Sequence, residues 1–174
     1  MRILIVSDTH GAHRYLDDAL EQIGEIDIFI HLGDIMGGFK SINNVVKCEK
    51  HIISGNGDRF PLTPRDMPKE SEFMIDSKKV FITHGHKYLT LWGAREVDGI
   101  IEEGRSRGVD IIMFGHTHKP FLEILPDLTV LNPGSISYPR QGGGKPSFIL
   151  MEIDEDKEIN YSIYYREKSG RFVC

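Results

Sequence analysis

The sequence starts with MRILIVSDTHG at residues 1–11, and this stretch decides how the rest of the chain is interpreted. The short apolar run from Arg2 to Val6 predicts a buried strand. A polar loop follows it at once and carries Asp8, His10 and Gly11. Because glycine lets the backbone turn sharply and come close to a bound group, this segment joins a strand end to candidate binding side chains.

Four later apolar runs end in the same way. Their loops hold Gly33-Asp34, Gly55-Asn56-Gly57-Asp58, His84-Gly85-His86 and Gly115-His116-Thr117-His118. In open α/β sheets the carboxyl ends of the strands form the ligand crevice. If the five strands are parallel neighbours, all five loops converge on one side of the sheet.

The segments between these loops predict an α/β fold. Apolar residues recur at helical spacing from Tyr15 to Ile23, and Ile42 to Val46 predict a second, short helix. Strands and helices in this order favour a parallel sheet with right-handed crossovers. The remaining pattern predicts a hairpin at 72–83, a helix from Val97 that ends at Gly108, a strand at 110–114, and further strands at 121–125, 129–131, 147–153 and 159–166.

The residue types in the loops point to metal binding. Carboxylate, amide oxygen and imidazole ligands suit divalent Mn, Fe, Zn, Co or Ni, and the lack of a nearby cysteine argues against a closed structural zinc site. The candidates are too many for one ion, whereas two ions roughly 3.5–4 Å apart and bridged by one carboxylate would use them all. The candidate ligands are Asp8, His10, Asp34, Asn56, His84, His116 and His118.

Each piece of this pattern also has a simpler explanation. Asp8 could cap the helix that follows it, and Asn56 between two glycines is a usual turn residue. His84 and His86 alternate, so at most one of them should face a site if the strand continues through both. The metal site is favoured because all the pieces occur in order, each at a predicted strand end.

Length and charge narrow the class of protein. A chain of 174 residues fits one domain, here residues 1–174. The net charge of −5 argues against a dedicated nucleic-acid surface, but bound metal ions would still attract a small phosphate ester. The apolar run at the N-terminus is too short for a signal peptide or a membrane span. Cys48 and Cys174 are at no metal or redox spacing, which favours free thiols in a cytoplasmic protein.

The order of the motifs resembles that of the calcineurin-like metallophosphoesterase superfamily. The resemblance rests on Asp8-x-His10, Gly33-Asp34, Gly55-Asn56-x-Asp58, His84-Gly85-His86 and Gly115-His116-Thr117-His118. The short length and Asn132-Pro133-Gly134-Ser135 narrow it to the small phosphodiesterases of the YfcE type, over roughly residues 1–166. The resemblance implies a four-layer αββα sandwich, in which two mixed sheets face each other with helices outside.

The resemblance also implies an assignment of the ligands. One metal would be bound by Asp8, His10, Asp34 and His118, and the other by Asp34, Asn56, His84 and His116, with Asp34 bridging. A hydroxide between the ions would attack phosphorus in line, and Asn56 would also orient the phosphate. Mn²⁺ is the first choice of ion, with Ni²⁺, Co²⁺, Fe²⁺ or Zn²⁺ as alternatives.

The sequence departs from the family pattern at one position. Many members of the wider superfamily have histidine directly after the asparagine ligand, where it protonates the leaving group, but this chain has Gly57. His86 is a candidate substitute, or else a structural histidine. Asp58, in the Gly-Asn-x-Asp motif, is a further catalytic candidate. Arg140 could reach a phosphate, or could be a solvated loop residue.

Two other functions fit parts of the sequence. A non-catalytic interaction scaffold of the same fold, the retromer subunit, also carries Gly-His-Thr-His and Asn-Pro-Gly-Ser, but its motif at the position of Asn56 is degraded. A nuclease of this superfamily would require a basic groove, extra domains and the general-acid histidine, none of which is visible in the sequence.

The predicted partner is a small phosphoester, with no membrane and no nucleic acid. Its identity would be set by the loops at 59–69, 87–95 and 138–145. The resemblance also implies a homodimer or homotetramer, for which Trp92, Phe121 and Tyr161 to Tyr165 are candidate interface residues, if they are not core residues.

Overall fold

The computed structural model describes residues 1–89 and 95–174. Its elements in chain order are β1 (Arg2–Val6), α1 (Arg14–Ile23), β2 (Ile28–His31), α2 (Phe39–Val45), β3 (Glu49–Ile52), β4 (Glu70–Ile75), β5 (Lys78–Thr83), α3 (Asp98–Arg107), β6 (Ile111–Met113), β7 (Pro120–Ile124), β8 (Thr129–Pro133), β9 (Ser147–Ile153), β10 (Ile159–Arg166) and β11 (Phe172–Val173).

The strands form two mixed sheets. The first has the order β11-β10-β9-β1-β2-β3, and the second has the order β4-β5-β6-β8-β7. Within the first sheet β1, β2 and β3 are parallel, and β9 to β11 are antiparallel to their neighbours. Within the second, β5, β6 and β8 are parallel and are flanked by antiparallel β4 and β7.

Alternation along the strands places the sheets face to face. On β1, Ile3 and Ile5 belong to an apolar cluster shared with Val80 and Ile82 of β5, which lies between the sheets. The intervening Leu4 of β1 packs instead in a second cluster with α1 and α2. A third cluster joins the outer face of the second sheet to α3. The fold is therefore the αββα sandwich that the family resemblance implies.

The parallel pairing predicted for the first three strands is confirmed, since β1, β2 and β3 pair in parallel within the first sheet. The five strands that precede the polar loops are not all neighbours in one sheet, because the β4–β5 hairpin starts a second sheet instead of extending the first. The convergence of the loops holds nevertheless. The loop after β5 contacts the loop after β2, where His84 Nδ1 donates to the carbonyl of Leu32 at 2.7 Å.

Most individual elements were predictable, with small errors at their ends. The strands predicted at 147–153 and 159–166 match β9 and β10, whereas the two-residue β11 was missed. Phe121 packs partly buried against the third apolar cluster, and Trp92 lies outside the described residues. Over residues 1–89 and 95–174, the structure contains no helix long and apolar enough to cross a membrane.

The face-to-face packing of the sheets predicts a large cost for shortening a side chain between them. Ile30 of β2 is fully buried there, whereas Ile124 at the end of β7 is 66% exposed. We expect Ile30→Ala to lower the free energy of unfolding by about 2–5 kcal/mol. The matched change Ile124→Ala should lower it by less than about 1 kcal/mol. Urea unfolding measures both, and equal losses would contradict this placement of the core.

Candidate metal centre

Two buried carboxylates lie at the centre of the converging loops. Asp8 follows β1 and Asp34 follows β2, and both are almost inaccessible to solvent. Asp8 Oδ1 lies 3.0 Å from His118 Nε2 and 3.6 Å from His10 Nε2. Asp34 Oδ2 lies 3.6 Å from His84 Nε2 and 3.8 Å from His10 Nε2. The ring of His10 therefore approaches both carboxylates.

These side chains form two overlapping groups that could hold a metal ion. One consists of Asp8, His10 and His118, and the other of Asp8, Asp34 and His84, with the donor atoms of each group within 4.8 Å of one another. Asp8 belongs to both groups, and Asp34 approaches a ring from each. Residues from the loops after β1, β2, β5 and β6 thus converge on one small volume.

The hydrogen bonds of two histidines fix where their lone pairs lie. His84 Nδ1 donates to the carbonyl of Leu32 at 2.7 Å, and His118 Nδ1 donates to that of Tyr138 at 2.5 Å. In a neutral ring the opposite nitrogen, Nε2, then carries a lone pair. In both residues that nitrogen faces a carboxylate oxygen, so two acceptors lie opposite each other.

Facing acceptors are unfavourable unless a positive partner, either a ring proton or a metal ion, lies between them. Among the described residues, Asp8 Oδ1 and His84 Nε2 are buried atoms that make no hydrogen bond, and leaving such atoms unsatisfied costs about 1–3 kcal/mol each. A divalent cation accepts both atom types as ligands. Histidine ligands of metals usually donate their other ring N–H to a carbonyl or carboxylate, as His84 and His118 do. The residues present therefore fit a bound metal.

The charges of the site are also suited to a cation. Burial alone would raise the pKa of Asp8, but the neighbouring rings of His10 and His118 hold it well below its usual range. Burial would likewise lower the pKa of His84, yet the carboxylates of Asp34 and Asp8 raise it above the ordinary value. Both carboxyl groups are therefore ionised at neutral pH, since the pKa of Asp34 is lowered as well, mainly by His84 acting against burial.

The ligand candidates lie on unusual backbone. Residues other than glycine rarely adopt positive φ, although Asp, Asn and His do so more often than most. Five of the seven candidates have left-handed backbone, with φ of 56° at Asp8, 44° at His10, 54° at Asp34, 67° at His116 and 58° at His118. Such strained positions cluster at functional sites. Here backbone bonds between loops hold them, for example from His10 N to the carbonyl of Asp34 at 2.9 Å.

Gly33 shows how closely the loops approach one another. Its φ is +96°, and an added Cβ would lie 2.6 Å from Gly55 N and 2.9 Å from His84 Nδ1. No side chain fits in that space. The glycine before Asp34 therefore allows the loops after β2, β3 and β5 to meet.

The alternation that would place at most one of His84 and His86 at the site requires the strand to continue through both, and it does not. β5 ends at Thr83 and Gly85 has φ of +95°, so strand alternation stops before the two histidines. Their ring centroids are 5.6 Å apart, and the His86 ring lies 5.9 Å from that of His116. His86 is exposed to solvent at the rim of the cluster. Burial, followed by the charge of His84, lowers its pKa.

The loop after β3 contacts Asp34 from the other side. Gly57 N donates to Asp34 Oδ1 at 2.6 Å, and Asn56 is exposed next to it. Asp58 accepts two backbone hydrogen bonds, from Met36 N at 2.7 Å and from Gly55 N at 2.9 Å. Asp58 thus ties the loop after β3 to the loop after β2.

A cavity of about 760 Å³ lies open beside the cluster. His10, His118, Tyr138 and Arg140 are among the residues that line it. Arg140 is exposed, and its backbone N donates to the carbonyl of His118 at 3.0 Å. The structure therefore places Arg140 within the same opening as two of the candidate ligands.

His31 is a residue of the site that the sequence analysis missed. It is fully buried in β2, where its Nδ1 accepts a hydrogen bond from Gly33 N at 3.2 Å and its Nε2 contacts Thr9 Oγ1 at 3.2 Å. It therefore links the loops after β1 and β2. Burial lowers its pKa to about 3, so the ring is neutral. A single histidine within the apolar run 28–32 was the available signal.

The fold and the carboxylate–imidazole cluster together define a metal-dependent phosphoester hydrolase. Residues 1–156 match the family model of the calcineurin-like phosphoesterase superfamily domain. The chain belongs to the calcineurin-like phosphoesterase superfamily.

Individual relatives agree with this assignment. A phosphodiesterase of Methanocaldococcus jannaschii is 32% identical over 149 residues, which cover 77% of this chain and 83% of that protein. Phosphodiesterase YfcE of Escherichia coli is 24% identical over 178 residues, which cover 88% of this chain and 89% of that protein. The structure of Vps29 from Entamoeba histolytica, complexed with zinc, superposes with a TM-score of 0.80 at 26% identity and covers all of this chain and 97% of Vps29.

The neutral, buried His31 predicts a pH dependence of stability. The unfolded chain protonates this histidine below about pH 6.5, whereas the folded chain does so only near pH 3. The unfolded state therefore binds more protons in this window, and the free energy of unfolding should fall as the pH drops. The slope due to His31 is about 1.4 kcal/mol per pH unit.

The measurement is urea unfolding of the chelator-treated protein at several pH values between about 7 and 4.5. His31→Gln should be less stable than the wild type at neutral pH, because it disturbs the link between the loops. Its free energy of unfolding should also fall less steeply than that of the wild type as the pH is lowered. Parallel curves for the two proteins would contradict the burial of a neutral ring.

Proposed function

We propose that this chain is a phosphodiesterase that works with two divalent ions in the cluster around Asp8 and Asp34. The observation that carries the proposal is the set of buried, unpartnered donor atoms, Asp8 Oδ1 and His84 Nε2, which lie in overlapping ligand groups. Two relatives named phosphodiesterase support the type of reaction.

The ligand assignment follows the family motif and is supported by the contacts. Asp8, His10, Asp34 and His118 would hold one ion, and Asp34, Asn56, His84 and His116 would hold the other. Asp34 Oδ2 approaches the rings of His10 and His84, one from each set, which supports a bridging role. When bound, the ions supply a coordinated water of lowered pKa and positive charge for the phosphoryl oxygens.

The chain itself orients these ligands. The carbonyls of Leu32 and Tyr138 hold the rings of His84 and His118 with Nε2 towards the carboxylates. The N–H of Gly57 holds Oδ1 of Asp34, which leaves Oδ2 facing the rings. Ligands fixed in this way need little rearrangement when metal and substrate bind.

Two exposed residues would act on the substrate. Arg140 lines the opening beside His10 and His118, where its guanidinium can neutralise a non-bridging phosphate oxygen. His86 lies at the rim beside His116 and can donate a proton to a leaving oxygen. The substrate is a small phosphoester, because the adjoining cavity of about 760 Å³ accommodates a group of small-molecule size.

An interaction scaffold is the second candidate function. The similarity to Vps29 of Entamoeba histolytica favours it, since that match spans the whole chain. The enzyme proposal is preferred because this chain retains every ligand position of the motif, Asn56 included. Five of these residues form two overlapping groups with donor atoms close enough to hold an ion, one of Asp8, His10 and His118 and the other of Asp8, Asp34 and His84.

Further properties belong to the proposal. Mn²⁺ is the preferred ion, since it accepts mixed oxygen and imidazole ligands. The single domain of residues 1–174, the cytoplasmic location and the homodimer or homotetramer stay predictions, and light scattering measures the last of these.

The proposal predicts different losses when two ligands are removed. Asp34→Asn should lower Mn²⁺-dependent hydrolysis of bis(p-nitrophenyl) phosphate by more than about 100-fold, because even partners outside the ligand set cost about 10–100-fold. His10→Ala should cost less, since it removes a ligand of one ion only. Asp127→Asn serves as the control and should keep wild-type activity, because Asp127 is exposed and its carboxylate pairs with Arg105 of α3, away from the candidate ligands.

Elemental analysis after Mn²⁺ reconstitution should find about two ions per wild-type chain. A metal-free, inactive wild type with intact ligands would eliminate the enzyme proposal in favour of the scaffold. Equal, mild losses of activity for Asp34→Asn and His10→Ala would contradict only the bridging role of Asp34 and would leave the enzyme proposal standing.

The departure at Gly57 predicts a steep dependence on the leaving group. Without a proton donor at this position, p-nitrophenyl esters should be cleaved much faster than alkyl esters. The φ of Gly57 is not in the left-handed region, and an added Cβ would lie 3.0 Å from Asp34 Oδ1 and 3.1 Å from Met36 Sδ. Gly57→His is therefore crowded but not excluded by the backbone.

Gly57→His should accelerate alkyl esters more than nitrophenyl esters, by up to about 10²–10⁴-fold. Gly57→Ala adds the same Cβ without a donor and controls for crowding. A wild type with shallow leaving-group dependence would show that a donor is already present, and His86→Ala should then steepen it.

A further inference from the structure

Met36 contacts His10, a candidate ligand whose Nδ1 faces a sulfur atom, whereas Nδ1 of His84 and of His118 faces a backbone carbonyl. Its Sδ lies 2.8 Å from His10 Nδ1. The other nitrogen of His10, Nε2, lies 3.3 Å from His118 Nε2 and faces both carboxylates. The thioether thus lies on the far side of the ring from the cluster.

The acceptor on His10 is weaker than those on the other rings. His84 and His118 each donate Nδ1–H to a backbone carbonyl, whereas a thioether sulfur is only a weak acceptor. A strong acceptor raises the basicity of a histidine ligand and fixes its orientation. The hydrogen bond that orients the His10 ring is therefore weaker than those that orient the rings of His84 and His118.

The backbone of Met36 is firmly placed. Its φ is +52°, and its N–H donates to Asp58 Oδ1 at 2.7 Å. The same carboxylate accepts a hydrogen bond from Gly55 N through its other oxygen, so Asp58 anchors Met36 to the loop that carries Asn56. The side chain is 38% exposed and lines the cavity beside the cluster.

Met36 also lies next to the position where the chain departs from its family. A Cβ on Gly57 would be 3.1 Å from Met36 Sδ. The sulfur therefore borders the space into which a side chain at position 57 would extend. The same thioether contacts His10 and lies beside position 57, where many relatives have a general-acid histidine and this chain has glycine.

We propose that Met36 is a positioning residue for His10: its thioether accepts the Nδ1–H of the ring and thereby directs the Nε2 lone pair towards Asp8 and His118. This inference rests on the proposed metal site. Because the acceptor is weak, the ion on the His10 side is held less tightly than the ion on the His84 side.

The test is a series at position 36 in which size is nearly constant and acceptor strength changes. Met36→Leu removes the acceptor, and Met36→Gln replaces it with a stronger amide oxygen. Calorimetric titration with Mn²⁺ should show affinity of the weaker site increasing in the order Leu, Met, Gln, over a total span of about 10–100-fold. Met74, which is 56% exposed on β4, supplies the controls Met74→Leu and Met74→Gln, which should leave both affinities unchanged.

If Met36 acted only through packing, Met36→Leu and Met36→Gln would both weaken Mn²⁺ binding. Equal effects of the two changes on Mn²⁺ affinity would therefore overturn the proposal. A second readout needs no metal. Nitrogen-15 NMR of the metal-free wild type should find the neutral His10 ring protonated at Nδ1, and Met36→Leu should shift the tautomers towards Nε2–H. A wild-type ring protonated at Nε2 would overturn the inference, even if phosphodiesterase activity were present. A protein that binds no Mn²⁺ would instead contradict the proposed function.

Discussion

The whole arrangement depends on two negative charges held out of water. Asp8 and Asp34 are buried where the two sheets meet, and isolated buried carboxylates are strongly unfavourable. Nearby rings and backbone N–H groups compensate for part of this cost and keep the groups ionised. The compensation is incomplete, since Asp8 Oδ1 makes no hydrogen bond among the described residues. A cation completes the balance, and the loops of both sheets are arranged around the place where it would bind.

Such a site needs two sheets. A single parallel sheet would present the loops in a row along one edge, whereas the sandwich lets loops approach from two sides. His84, from the second sheet, reaches the carbonyl of Leu32 in the first, and His116 N reaches Asp8 Oδ2 at 3.1 Å. The apolar cluster between the sheets, which includes Ile3, Ile5, Val80 and Ile82, holds the sheets at the separation that makes these contacts possible.

Much of this was predictable from the sequence, and the remainder was not for physical reasons. Apolar runs followed by glycine and polar residues identified the strand ends, the candidate ligands and the family. The runs could not tell one sheet from two, because a strand covered on both faces has the same pattern whether a helix or another sheet covers it. Strand alternation could not place His86, since β5 ends at Thr83 and Gly85 has positive φ. His31 and Met36 were missed because their roles depend on contacts between loops distant in the sequence, with Thr9 and His10 respectively.

The left-handed backbone at five candidate ligands has a consequence for stability. Each such residue costs the folded chain on the order of 1 kcal/mol compared with ordinary backbone, and a domain has only about 5–15 kcal/mol of stability in total. Glycine at these positions would relieve the strain and stabilise the metal-free fold. The same changes would remove the carboxylate and imidazole donors, so stability and the ligand set compete at the same five positions.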